Sequence, residues 1–211
     1  MTEGQREAPD RPEAERYYAQ HASLDAGEGG TSEAALQEAI NEGARQIPSM
    51  SEKTGLREDL RSEVEALVAS DAPDEEVLNE VVRRIHEAHP AWDWSGIYLL
   101  VGDTLELGPR TAPVDHSRIG IGEGVCGTAV SEDRNQVVDD VREVENYLAC
   151  SIHTRSELVV LIRDAGRIVG EFDIDSDTVG AFSQEDQALL EEMGGLISGR
   201  VASLAGSYES S

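Results

Sequence analysis

The apolar positions of the chain change period along its length, and each change marks a new kind of element. Leu56, Leu60, Val64, Leu67 and Val68 recur at three- and four-residue steps, which predicts an amphipathic helix from Glu52 to Ala69. After Asp71-Ala-Pro-Asp-Glu75 the stripe resumes as Val77, Val81, Val82 and Ile85. Pro73 suits the start of this second helix and Pro90 its end. From Trp92 the period falls to two. Trp94, Gly96, Tyr98 and Leu100 alternate with Ser95, Ile97 and Leu99, and both sets are largely apolar, so this strand is expected at the centre of a sheet. Gly102-Asp103 turns the chain into a second strand, Thr104 to Leu107.

Short strands are expected at Arg118 to Ile121 and Gln136 to Val138, with a short helix starting at Gly127 and a loop from Asp139 to Asn146. Glu157 to Ile162 is a Val-, Leu- and Ile-rich strand, and Asp164-Ala-Gly166 turns it into a partner, Arg167 to Ile174. Ser183-Gln-Glu-Asp186 reads as a capping box. The helix it opens carries Leu189, Leu190, Met193, Ile197, Val201 and Leu204. The sum is an α+β fold: an antiparallel sheet with N- and C-terminal helices on one face.

Composition adds boundaries. Residues 1–50 form an acidic extension, rich in Glu, Gly, Pro and Ala over 1–30 and weakly helical over 32–47, with a linker over 48–53. Residues 51–206 form the domain, and 207–211 a frayed tail. No apolar run reaches the roughly 18 residues that span a bilayer. The N-terminus lacks the apolar core of a signal peptide, so a cytoplasmic location is expected. The net charge of −26 argues against nucleic-acid partners. Lys53 is the only lysine, and acids occur throughout. That composition points to a halophilic setting, where the Debye length shrinks to about 3 Å at 1 M salt and self-repulsion no longer opens the fold.

Candidate chemistry is confined to few residues. Cys126 lies in Gly122-Glu-Gly-Val-Cys-Gly-Thr-Ala129, and Cys150 follows in Tyr147-Leu-Ala-Cys150. Two cysteines without a CxxC support neither a disulfide framework nor a zinc ribbon. Each is either a small buried hydrophobe or a reactive thiol activated by nearby backbone N–H groups. Glu157 opens one apolar strand, and Asp173 and Asp175 share one face of another. Acids so placed are either a solvated strand end in an acid-rich chain or, if close together, need a proton, a cation or a substrate ammonium group between them. Acids alone would suit a hard ion, and no metal or cofactor is assigned. His86 and His89 sit at a helix end and are read as structural.

The stretch from Trp94 to Ile197 resembles a GAF domain, specifically that of the free methionine-R-sulfoxide reductases. The resemblance rests on Asp93-Trp-Ser-Gly-Ile-Tyr98, Leu107-Gly-Pro109, Gly122 to Ala129, Ala149-Cys150, Ser156-Glu-Leu-Val-Val160 and Gly170-Glu-Phe-Asp-Ile-Asp175. It implies that Glu157, Asp173 and Asp175 grip the α-ammonium group of free methionine sulfoxide, and that Trp94 and Tyr98 wall the pocket. Cys150 would attack the sulfoxide sulfur. Cys126 would resolve the resulting sulfenic acid as a Cys126–Cys150 disulfide, reopened by a thioredoxin-like reductant. The family also implies a homodimer, for which the helix Glu52 to Ala69 offers a surface. Two departures stand out: His116 replaces a third family cysteine, and Ser151 an acid after Cys150. A non-catalytic GAF module for ligand binding or redox sensing is the alternative.

Overall fold

The computed structural model of the chain describes residues 50–114, 116–148 and 151–209. Two helices come first, α1 (Met50–Val68) and α2 (Asp74–Glu87). Strands β1 (Trp94–Val101), β2 (Thr104–Arg110) and β3 (Arg118–Gly120) lead to a short helix, α3 (Gly124–Glu132). After β4 (Gln136–Val138) and a 3₁₀ turn at Val141–Glu143 come β5 (Ser156–Asp164), β6 (Arg167–Ser176) and the long helix α4 (Gln184–Glu209). The six strands form one antiparallel sheet in the order β3-β2-β1-β6-β5-β4. β1 is therefore interior, as its two apolar faces require. Because β1 pairs with β6, residues about eighty positions apart in sequence become direct neighbours, Trp94 with Asp175 and Gly96 with Asp173.

One sheet face is covered by α1, α2 and α4. Leu60 and Val64, Val77 to Ile85, and Leu190, Met193, Ile197 and Val201 pack there on Ile97, Leu99, Leu158, Val160, Phe172 and Ile174. Arg200 of α4 fixes the α1–α2 connection: its guanidinium donates to the carbonyls of Val68 and Ala72 at 2.8 and 3.1 Å and pairs with Asp74 at 2.7 Å. The opposite face packs Trp94, Tyr98, Leu105, Val159 and Leu161 against α3. The Asp164-to-Arg167 turn holds Ala165 at φ 47° and Gly166 at φ 81°, the left-handed pair that a two-residue hairpin needs.

The α+β architecture expected from the sequence is the one observed. Four local expectations change. Helix α1 begins at Met50, inside the segment read as a linker. Strand β2 runs on to Arg110, past Leu107. Helix α3 begins at Gly124, so Cys126 lies in a helix rather than in a glycine loop. Helix α4 continues to Glu209, past Ser207. Of the apolar stripe of α1, Leu60 and Val64 are buried against the core under α4 and the sheet, and Leu67 and Val68 are partly buried there. The weak helix expected over 32–47 lies outside the described residues. No helix among the described residues is long and apolar enough to cross a membrane.

Candidate active site

The site is a patch of acids on the neighbouring strands β5 and β6, on the α3 side of the sheet, flanked by the aromatic residues of β1. Residues two apart on β6 face the same way, so Glu171, Asp173 and Asp175 form a column. Pairing with β5 sets Glu157 opposite Asp175, and pairing with β1 sets Trp94 on the other flank of Asp175. All four acids are buried: Glu157 at 5%, Asp175 at 4%, and Glu171 and Asp173 at 0% relative exposure. No hydrogen-bond partner of ordinary geometry reaches either oxygen of Glu171 or Asp173 among the described residues.

Helix α3 brings the thiol to this patch. Gly122, at φ 89°, donates its N–H to the Gly127 carbonyl at 2.8 Å, and the Glu123 carboxylate accepts from the Gly120 N–H at 3.0 Å. This loop presses α3 onto β3. A Cβ on Gly127 would lie 2.2 Å from the Gly120 oxygen, so only glycine allows that approach. Cys126, in the first turn of α3 and 3% exposed, places its Sγ 3.7 Å from Glu157 Oε1. The Sγ and one oxygen each of Glu157 and Asp173 all lie within 4.8 Å of one another.

The aromatic residues frame the same patch. Trp94 folds its indole over Gly96, where a Cβ would meet the ring at 2.2 Å. Its Nε1 donates to the Ala112 carbonyl at 2.8 Å, and the Tyr98 hydroxyl donates to the His116 carbonyl at 2.8 Å. Both aromatic residues are thus anchored across the sheet, on Ala112 and on His116.

Crowding decides the charge state of the acids. Desolvation, then the charges of Asp173, Asp175 and Glu171, push Glu157 well above the usual carboxylate range. Desolvation and the Asp173 charge do the same to Glu171. Asp175 is raised by desolvation and by Asp173, with Thr154 opposing. Asp173 rises only to about 7, because the Cys126 thiol and a protonated Glu157 lie near enough to favour its ionised form against desolvation. Burial and crowding thus favour the protonated forms of these acids, and a bound cation would favour their ionised forms.

Of the residues singled out in the sequence, Cys126, Trp94, Tyr98, Glu157, Asp173 and Asp175 converge on this patch. Cys150 lies outside the described residues. Its neighbours on both sides border the site: Leu148 abuts Gly124 at the start of α3, and Thr154 acts on Asp175. The sequence reading passed over Glu171, although the two-residue step from Asp173 was there to mark it. His86 bonds Ser95 Oγ at 3.0 Å and His89 stacks on Trp92 at 4.0 Å, packing roles in keeping with their reading as structural. The open crevice around Asp133, Arg134, Arg163 and Glu191 contains none of the acids of the patch and no thiol.

Residues 74–201 match the GAF domain family. Over 141 residues the chain is 35% identical to the free methionine-R-sulfoxide reductase of Escherichia coli (strain K12), covering 67% of this chain and 86% of that one. The chain is a GAF domain protein of the free methionine-R-sulfoxide reductase family. This GAF domain superposes on the free methionine-R-sulfoxide reductase of Neisseria meningitidis, solved in complex with its substrate, with a TM-score of 0.66 at 32% identity, over 74% of this chain and 96% of that one. The reduced form of the Staphylococcus aureus enzyme gives a TM-score of 0.64 at 33% identity, over 69% and 95%. The GAF match contains all the acids, both aromatic residues and both cysteines, and stops short of residues 1–49.

Proposed function

We propose that this protein reduces free L-methionine-(R)-S-oxide to L-methionine with electrons from a thioredoxin-like dithiol. The observation that carries the reading is the buried acid row, Glu157, Asp173 and Asp175, beside Cys126 in a chain of this family. Three acids around one pocket suit a primary ammonium group, whose charge would replace their protons. A peptide-bound methionine sulfoxide offers an uncharged amide nitrogen there and leaves the acids uncompensated. Trp94 and Tyr98 supply the apolar wall for the thioether end.

In this scheme the Cys150 thiolate attacks the sulfoxide sulfur while a proton goes to the oxygen. The oxygen passes as hydroxyl from the methionine sulfur to the Cys150 sulfur, the transient S–S bond breaks with its electron pair going to the methionine sulfur, and methionine leaves with Cys150 as a sulfenic acid. The Cys126 thiol then attacks that sulfur, water departs and a disulfide forms. An external dithiol returns both thiols, so each sulfoxide reduced consumes two electrons. The resemblance implies a further thiol at the position of His116, which leaves Cys126 as the internal resolving candidate. It sits in the first turn of α3 with its Sγ 3.7 Å from Glu157 Oε1, inside the acid patch.

The test is direct. The full chain, incubated in high salt with a dithiol, should release methionine from the free R epimer and not from the S epimer or a peptide-bound form. No methionine from the R epimer overturns the reading. Cys150→Ser should abolish turnover, and retained activity would move the nucleophile to Cys126. Asp173→Asn should raise KM by about tenfold or more, the loss of one charge-assisted contact.

A further inference from the structure

The acids were read above as a seat for an ammonium group, but their geometry with the thiol fits a second occupant. Acids alone would favour a hard ion. Cys126 changes that, because its Sγ joins one oxygen each of Glu157 and Asp173 in a set spanning no more than 4.8 Å. One thiolate and two carboxylates form a donor set for zinc, with sulfur at about 2.3 Å and oxygen at about 2.0–2.2 Å. Those lengths put sulfur and oxygen roughly 3.5 Å apart across a tetrahedral ion. The observed Cys126 Sγ to Glu157 Oε1 distance is 3.7 Å. The cluster also carries unmet polar capacity: Asp173, fully buried, accepts no hydrogen bond of ordinary geometry among the described residues. Glu171, next on the same strand face, is in the same condition.

We propose that the reduced pocket is a binding site for a thiophilic divalent cation, zinc being the type, held by Cys126 Sγ, Glu157 and Asp173, with the fourth position open to water. Binding deprotonates the thiol and discharges the protons of the acids. Glu171 lies beyond the three ligands as an acceptor for the water. The site does not depend on the reductase reading. If that reading holds, cation and substrate ammonium compete for the same acids, and the metal-bound thiol is withheld from disulfide formation.

Cobalt(II) is the probe, as a spectroscopic substitute for zinc. Titrated anaerobically into the reduced full chain, it should give a near-ultraviolet thiolate-to-cobalt band and intense visible bands of tetrahedral geometry, saturating at one ion per chain. The thiolate band should persist in Cys150→Ser and vanish in Cys126→Ser. Glu171→Gln should keep the band and weaken cobalt binding by about tenfold, the usual cost of an outer-shell partner. Absence of any thiolate band in the wild-type chain overturns the proposal, and this reading needs no variant to fold. A band that persists without Cys126, or is lost with Cys150, also overturns it. No turnover is measured, so cobalt binding without methionine formation sinks only the reductase reading. Methionine formation without a thiolate–cobalt band sinks only the metal site.

Discussion

The burial of Glu171 opposes folding. The residue is fully buried among Tyr98, Leu161 and Asp173, and neither carboxylate oxygen is satisfied. Replacing it by leucine removes the unmet polar group at little change in shape. Glu171→Leu should stabilise the chain by about 1–3 kcal/mol, read as a shifted urea midpoint at unchanged slope. Asp173 gives a pH dependence of known sign. Its carboxyl titrates at about 7 in the folded chain and near 3.8 otherwise. Between these values the folded state holds a proton that the unfolded chain has lost, so its contribution to stability falls as pH rises across that window. Urea denaturation from pH 4 to 8 should show this decline, and Asp173→Asn should flatten it, with its margin over the parent greatest above pH 7.

At the scale of elements, the close contact of α3 with β3 sets the thiol's position. Gly127→Ala puts a methyl group 2.2 Å from the Gly120 oxygen, against backbone that cannot rotate away. It should cost about 1–3 kcal/mol and, by lifting α3, draw Cys126 from Glu157, so that disulfide formation slows more than the first reduction step in a single-turnover assay. This helix was also the hardest element to read. Gly124 and Gly127 are poor helix formers, and the sequence Gly-Glu-Gly-Val-Cys-Gly looks like a loop; what makes it helical is packing on β3, which no local propensity records. The sheet was legible because β1, β5 and β6 carry plain two-residue alternation. Glu157, Asp173 and Asp175 were legible because acids on such strands are conspicuous. Glu171 was as legible as they were, two residues before Asp173 on the same strand face; strict alternation fails only at the start of β6. There the register shift near Ile162 turns Val169 to the helix side and Ile168 to the α3 side.

Over the whole sequence acids outnumber bases 43 to 17, and among the described residues most arginines are used in exposed pairs such as Arg57–Glu192, Arg83–Glu87 and Arg163–Asp133. Exposed pairs contribute about 0–1 kcal/mol each, too little to offset the repulsion among the remaining acids. Added salt screens that repulsion. The melting temperature should therefore rise with potassium chloride from low salt into the molar range, and a flat or falling curve would contradict the halophilic reading. The acid row of the pocket has a separate consequence. Since Glu157, Asp173 and Asp175 titrate against one another, changes among them are epistatic: losing one acid relieves the others. A double-mutant cycle on Glu157→Gln and Asp175→Asn should depart from additivity by about 0.5–3 kcal/mol. Adaptation of this pocket is thus path-dependent, because the order in which its acids are exchanged decides which intermediates remain folded.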